Sequence, residues 1–494
     1  MITLTQIRAW CICALSVVLA FYVAVKIADG GLATFSTMLT TGIVVAWIAF
    51  GGARWWWPLF FGMGIGGTFY FGFKVYPYEV GFFLALLAVI PLVALRTGQP
   101  TGQRVFPRVL VFFLIFIAFH AAMTCVHYGG GSWRSIGSIC RVYLREAWAP
   151  FFMLLFYFYG ESRLIPTGFY VLEFTYFARL VLGVVAFFYP NFTYVPGLNL
   201  VLPGSGPDGS VDLRASGLGL ATTAMAFSFY KKGWLHSMFQ AGLFIAGWAA
   251  LMMGASRSAL IFFFVALVFF SLFSRRSVIL WVVGAAFFGF LCLVNLKPEM
   301  LDGFDSRIQR TSSILVLYSK GISGTSLAEV KKSLEGDMST NDFHKRIQRA
   351  GFQRWTQNIP QFLFGTGLRP FDESFQKEPD LKVSFELAIA ASADTGAYES
   401  GLWTVLAGTG LVTLLFYIAL FGHQLKRIWN LYPIAEQTPF GRSLVFLTCY
   451  LVTTWIVFGY WEGSFPSYEL MVVALTAAYL QDRAAEFKTV EDAT

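Results

Sequence analysis

Arginine stands in this chain where a sequence so rich in apolar residues has little use for it. Arg141 and Arg145 lie four apart in "SICRVYLREAW", Arg214 opens "RASGLGLATTAMAF", Arg257 interrupts "LMMGASRSALIFFFV", and Arg346 and Arg349 share "RIQRAGFQRW". A spacing of four puts Arg141 and Arg145 on one face if their segment is helical. A guanidinium keeps its charge when half buried, and its planar fork matches two phosphate oxygens at once. Several of them fixed around one point suit a diphosphate that gains negative charge as its bond to a sugar breaks, a form of electrostatic catalysis that needs no metal. The same residues admit a plainer reading, as interfacial anchors reaching for lipid head groups or as partners for Asp and Glu in the same loops. Arg214 and Arg257, wedged against apolar runs among small residues, favour the first reading. The arginines of the long polar stretch favour the second.

These residues need elements to hold them, and composition says which. The chain has 494 residues, 56% hydrophobic and 18% aromatic but only 13% charged, against about a quarter charged in a soluble domain. That excludes an ordinary soluble protein. Apolar runs long enough to cross a bilayer as helices are read at 8–27, 34–51, 55–73, 78–95, 107–127, 147–162, 167–189, 216–230, 234–254, 258–274, 277–296, 400–422, 441–461 and 466–482. The predicted fold is an all-α polytopic membrane protein of about 14 transmembrane helices with one large, partly helical periplasmic loop. Residues 1–296 carry helices 1–11, residues 297–399 the loop or cap, and 400–494 helices 12–14 with a cytoplasmic tail. The first apolar run is too long for a cleaved signal and no A-x-A site follows it, so it is expected to remain as a span.

Lys and Arg in short loops set the orientation. With the N-terminus inside, the inner loops hold Arg54, Arg96, Arg104, Arg108, Arg163, Lys231, Lys232, Arg275, Arg276, Lys426, Arg427 and Arg442. That accounts for much of the net charge of +8. Arg134, Arg141, Arg145, Arg214, Arg257, Arg307, Arg310, Arg346, Arg349, Arg354 and Arg369, with Arg179 of the seventh span, then fall on the outer side, against the usual trend. Such a concentration asks for an anionic partner there.

Other signals are weaker. Within the long loop, "FHKRIQRAGFQRWTQNIPQFL" places Phe343, Ile347, Ala350 and Trp355 on a membrane-side face with His344, Arg346 and Arg349 elsewhere, and "GTGLRP" stops the helix. A cap of this kind excludes water, the competing acceptor in a sugar transfer. The stretch 190–212, dense in Pro and Gly, reads as an ordered-turn loop or a flap. "GGTFYFG" reads as a glycine-spaced helix face for close packing. Glu173 and Arg179, six apart, do not pair along one helix and must each face protein or a cavity. His120, His236 and His423 read as structural or interfacial. Six cysteines without a CxxC pair argue against a metal or redox module; Cys125 and Cys140 both fall near the outer face, where spacing alone leaves a disulfide open.

Four segments, in order, resemble a known family. "VDLRASGLGLATTAMAF" (211–227) looks like the R-x-S-G segment of the O-antigen ligase and O-antigen polymerase superfamily, and "GASRSALIFFFVALVFF" (254–270) resembles its S-R-x-A-L span. "RIQRAGFQRWTQNIPQFLFGTGLRPF" (346–371) is similar to its loop pattern, and "AYESGLWTVLAGTGLVTLLFYIALF" (397–421) to its re-entry into the membrane. The resemblance covers about 211–421. It implies a membrane-embedded, metal-independent, inverting glycosyltransferase that uses no cofactor. Arg214 and Arg257 match the family's two membrane-proximal arginines, expected to hold the pyrophosphate, and Arg346 or Arg349 matches its loop arginine. Arg141 and Arg145 join them as candidates from spacing.

Where the family places an H-N pair before its return helix, this chain has Tyr398-Glu399-Ser400. Glu399 then stands as the candidate base for the acceptor hydroxyl, with an interfacial carboxylate paired to an arginine as its alternative. His344 is the second candidate base, with a solvated loop histidine as its alternative.

The implied reaction takes a glycan from undecaprenyl pyrophosphate at the periplasmic face of a bacterial inner membrane. Three outcomes follow: a polymerase of lipid-linked repeat units, which is preferred; a ligase moving the finished glycan to lipid A-core or a protein; or, from another class, a transporter or flippase of lipid-linked glycans. The expected partners are the lipid-linked oligosaccharide donor and acceptor, membrane lipids and a chain-length regulator, with no nucleic acid.

Overall fold

The structure is a computed structural model of the chain. It describes residues 52–66, 68–70, 74–94, 107–188, 194–195, 200–201, 210–230, 233–253, 345–369, 400–458 and 465–491, with a few isolated positions besides. The described chain is predominantly helical. Its helices are α1 (Trp57–Ile65), α2 (Pro77–Ala94), α3 (Arg108–Tyr128), α4 (Trp133–Glu146), α5 (Trp148–Tyr159), α6 (Ile165–Phe188), α7 (Ser210–Ser228) and α8 (Trp234–Met253). They continue with α9 (residues 345–355), α10 (Ile359–Phe364), α11 (Gly401–Asn430), α12 (Tyr432–Gln437), α13 (Gly441–Phe458) and α14 (Ser467–Glu491).

The core is built round α14. Met471, Val472, Val473, Leu475, Ala477, Ala478 and Leu480 are each at most 1% exposed, and they cover every side of the helix. A helix apolar all round belongs inside a bundle. Thr448 on α13 donates to Thr476 on α14 at 2.8 Å, a polar tie of the kind that binds helices where no water competes. The α7–α8 pair approaches closely: a Cβ on Gly217 would lie 2.7 Å from the Gly247 carbonyl oxygen. Small residues let the two backbones touch.

Segments Arg108–Tyr128, Ser162–Val185, Trp234–Met252 and Gly401–Asn430 are long and apolar enough to cross a membrane. Their outer faces are apolar as well. On α3, Phe112, Ile115, Phe119, Met123 and Val126 are all more than half exposed, and α8 shows Leu235, Met238, Phe239 and Ile245 in the same way. Water gives such stripes no stable partner, whereas a bilayer does.

The apolar runs read at 78–95, 107–127, 167–189, 216–230, 234–254, 400–422, 441–461 and 466–482 form the helices α2, α3, α6, α7, α8, α11, α13 and α14, of which α3, α6, α8 and α11 carry the four segments long and apolar enough to cross a membrane. Those at 8–27, 34–51, 258–274 and 277–296 lie outside the described residues, apart from isolated positions. Two others are shorter than expected. The run at 147–162 forms the 12-residue α5, and the run at 55–73 forms α1, nine residues that stop at Ile65. "GGTFYFG" is therefore not a helix face. Gly66 takes φ +63°, ending the helix, and Thr68–Tyr70 is a strand; Thr, Phe and Tyr after a glycine pair suit the pleated conformation better than another helical turn.

That strand, β1, joins β2 (Lys74–Val75), β3 (Tyr194–Val195) and β4 (Leu200–Val201) in a small antiparallel sheet of order β2-β1-β4-β3. Phe69 pairs with Leu200, and Tyr194 with Val201. The Pro- and Gly-rich stretch after α6 is thus tied by a hairpin to the segment after α1.

Candidate functional site

Polar groups of α2 and α14 meet those of α4. The sequence of α4 is sharply amphipathic. Ile139, Val142 and Tyr143 are buried, while Arg134, Arg141 and Arg145 leave the apolar stripe. Arg141 donates to Glu79 at 2.7 Å, and the same carboxylate oxygen accepts the Tyr76 amide at 2.8 Å in the first turn of α2. Arg145 donates to Glu146 at 2.9 Å and lies 5.9 Å from the centre of the Tyr76 ring. Burial alone would lower the Arg145 pKa, but Glu146 and the neighbouring tyrosines hold it above its ordinary value. Both arginines lean on carboxylates, as the plainer reading requires.

Ser467, at the start of α14, donates to the Glu146 carbonyl at 2.5 Å. On α6, the Arg179 guanidinium packs against Gly66, where a Cβ would strike it. Arg179 therefore faces protein, as its cost in lipid demands. Glu173 does so as well: it is 3% exposed and accepts from Gln240 Nε2 at 3.2 Å.

The cap docks through a glycine motif. In α9, Ile347 is buried against Trp403, Leu406 and Ala407 of α11, with Ala350 and Trp355 packed beside it, while Arg346 and Arg349 are exposed. This is the division of faces expected from the sequence. Trp355 stacks on Phe362 with ring centres 4.7 Å apart and donates its indole N–H to the Phe362 carbonyl at 2.9 Å. Asn358 caps α10 by accepting the Gln361 amide at 2.9 Å.

After α10 comes Gly365-Thr366-Gly367-Leu368, and the same four residue types recur at Gly408-Thr409-Gly410-Leu411 inside α11. The two copies lie against each other. The Thr366 and Gly367 amides donate to the Ala407 and Gly408 carbonyls, each at 2.9 Å. The helix breaks beside them, with Gly410 at φ +81° and ψ 175°. Broken backbone inside an apolar helix must find its partners in protein, and the cap supplies them.

A buried latch completes the docking. His120 Nε2 bonds the Phe364 carbonyl, an acceptor only, so this nitrogen carries the proton. In the neutral ring Nδ1 is then the acceptor, and the Tyr143 hydroxyl donates to it at 2.6 Å. The Tyr143 oxygen accepts in turn from the Leu368 amide at 3.1 Å, with the Thr124 hydroxyl 2.7 Å away. Burial pushes the Tyr143 phenol up to about 12, which keeps it protonated as the latch requires. The next residue, Arg369, sets its guanidinium 4.0 Å above the Tyr128 ring. Its Nε and that of Arg354 are buried without a hydrogen-bond partner among the described residues. An unsatisfied guanidinium N–H is the group an anion would complete.

The structure thus brings Arg141 and Arg145 together on α4 and sets Arg346 and Arg349 on the exposed face of α9. Arg214 falls on α7, but its side chain lies outside the described residues, as do Arg257, His344 and Glu399 altogether. Ser400, the residue after Glu399, is buried and caps α11, accepting the Trp403 amide at 3.5 Å. His120 has a structural role, as expected, with both ring nitrogens engaged. Sequence reasoning left Arg369 out of the candidate site. The signal for it was present: it directly follows the repeated glycine motif.

A separate cleft of about 740 Å³ lies at the other ends of α6 and α14, lined by Arg163, Tyr170, Tyr230, Tyr479, Arg483 and Glu486. Glu486 accepts from Arg163 at 3.0 Å and from Arg483 at 2.6 Å. Burial would raise its pKa slightly, but the two guanidinium groups hold the carboxyl below its ordinary range.

Among the described residues, no three of His, Cys, Asp and Glu gather in a group that would hold a metal ion. No family model and no curated protein matches the chain.

Proposed function

We propose that this chain is a membrane-embedded glycosyltransferase that polymerises lipid-linked glycan repeat units. In this reading it acts at the outer face of a bacterial inner membrane. It transfers a glycan from undecaprenyl pyrophosphate to an acceptor hydroxyl, without a metal. The acceptor oxygen bonds the anomeric carbon from the face opposite the diphosphate, the bond to the diphosphate breaks, and a base takes the hydroxyl proton. Glu399 is the proposed base, with His344 as second choice. Arg214, Arg257 and the α4 arginines hold the departing diphosphate, joined by Arg369 and by Arg346 or Arg349 from the cap.

The observation that carries this reading is the docking of an arginine-bearing cap onto α3, α4 and α11, with Arg369 half-buried, its guanidinium over Tyr128 and its Nε without a hydrogen-bond partner among the described residues. Preorganised guanidinium groups sheltered from water are what a diphosphate leaving group needs. The ordered resemblance to the O-antigen ligase and polymerase superfamily supports the same reading. Transporters with discontinuous helices use the break to line a substrate site. Here the break in α11 is filled by the cap, which favours the transferase.

The test supplies purified protein in nanodiscs with a polyprenyl-pyrophosphate oligosaccharide and EDTA, and resolves the products on a gel. A ladder of lengths is expected. A single transfer to lipid A-core would favour the ligase, and substrate left covalently unchanged would sink both transferases. Arg257→Ala and Arg214→Ala should abolish transfer with normal expression, since losing such a donor costs about 2.7–4 kcal/mol in the transition state. Arg257→Lys separates a bidentate fork from a point charge.

A further inference from the structure

The α3–α4 corner holds a second piece of chemistry. Cys125 sits in the last turn of α3 and Cys140 in the middle of α4, and their sulfurs are 3.8 Å apart. The turn between them is what brings them together. Gly129 closes α3 with its amide on the Cys125 carbonyl at 2.8 Å, and Ser132 donates back to the Gly129 carbonyl at 3.0 Å. Gly130 and Gly131 take φ +54° and +73°, a left-handed pair that folds α4 back along α3. Cys140 is exposed, so a reagent can reach it.

We infer that Cys125 and Cys140 are joined by a disulfide in the native protein, stapling the basic helix α4 to the end of α3. The bond length is about 2.05 Å, so the sulfurs must close by less than about 2 Å, a distance that χ1 rotation of two side chains covers. The balance is simple. Two thiols lose two electrons and two protons to a disulfide-bearing oxidant, which is reduced to its dithiol. An oxidising compartment supplies that class of oxidant, so the inference rests on the orientation proposed above, with this corner facing outward.

The staple has a defined task. Cys140 directly precedes Arg141, and Cys125 lies three residues before Tyr128, on which Arg369 stacks. A covalent link at this point fixes the α4 arginines relative to the cap arginine and leaves the Tyr143 latch between them undisturbed. Reduction is therefore expected to loosen the corner without unfolding the bundle, because the core around α14 does not depend on it.

The experiment traps free thiols with N-ethylmaleimide in intact membranes, without reductant, then digests the full-length protein and maps the peptides by mass spectrometry. A linked peptide pair containing residues 125 and 140, lighter than the two reduced peptides by two hydrogen atoms and split by dithiothreitol, is expected. A Cys125→Ser variant must lose the linked pair and leave Cys140 alkylated. Alkylation of both cysteines in native membranes would overturn the inference. A copper-phenanthroline arm then shows which premise failed. Thiols that link only on added oxidant place the corner on a reducing side, against the proposed orientation, whereas thiols that do not link refute the geometry.

Discussion

Gly410→Ala is the sharpest perturbation of the cap docking. Gly410 sits at φ +81° with an extended ψ, a region effectively reserved for glycine, and forcing another residue there costs about 1–3 kcal/mol. A Cβ would also strike the Leu363 carbonyl. That neighbour is backbone of the docked cap, so no side-chain rotation relieves the contact, and overpacking of this kind adds about 1–3 kcal/mol. The sum, about 2–6 kcal/mol, is a large share of a typical folding free energy of about 5–15 kcal/mol. Gly422, in the same helix, is the control. A Cβ there meets nothing, and exchanging an exposed helical glycine for alanine gains up to about 1 kcal/mol. Thermal unfolding in detergent should show Gly410→Ala clearly below wild type and Gly422→Ala at or above it. Limited trypsin digestion reports on the cap separately, because the helical backbone at Arg346, Arg349 and Arg354 becomes cleavable once it lifts and unwinds. The reasoning fails if Gly410→Ala melts with wild type, or if Gly422→Ala loses as much.

Three further outcomes are expected. Tyr143→Phe removes the acceptor of the Leu368 amide and the donor to His120, and a buried group left unpaired costs about 1–3 kcal/mol; a melting temperature equal to that of wild type would refute the latch. Arg141→Ala leaves Glu79, only 13% exposed, without its ion pair, so the single variant should be less stable than the double variant Arg141→Ala with Glu79→Gln; if the double variant also regains transfer, Arg141 serves Glu79 and not the diphosphate. The last prediction concerns pH. The Glu486 carboxyl is held below its ordinary range in the folded chain, so its stabilisation is complete above the unfolded pKa of about 4.3 and is lost as pH falls through the lowered value. The group is largely solvated, which limits the gain to under about 1 kcal/mol. The melting difference between wild type and Glu486→Gln should be flat near neutrality and close at acid pH; a difference that widens on acidification would reverse the sign.

Residue order alone determined the membrane-type helices, because hydropathy is a local sum and a span must bury its own backbone bonds wherever it lies. It also determined the two faces of α9 and the shared face of Arg141 and Arg145, since helical periodicity is a property of short stretches. What it misread were the ends and breaks. α1 stops at Gly66 and α11 breaks at Gly410 because each glycine meets a partner distant in sequence, the Arg179 guanidinium in one case and Leu363 of the cap in the other. Arg369 looked like one more loop arginine until Leu368 was seen pinned to Tyr143 and the guanidinium stacked on Tyr128. The closeness of Cys125 and Cys140 depended on the glycine turn between their helices. Periodicity tells which face a residue shares, but only tertiary packing decides what that face meets. The carboxylates that Arg141 and Arg145 lean on, and the latch that sets Arg369 over Tyr128, were therefore decided by the fold.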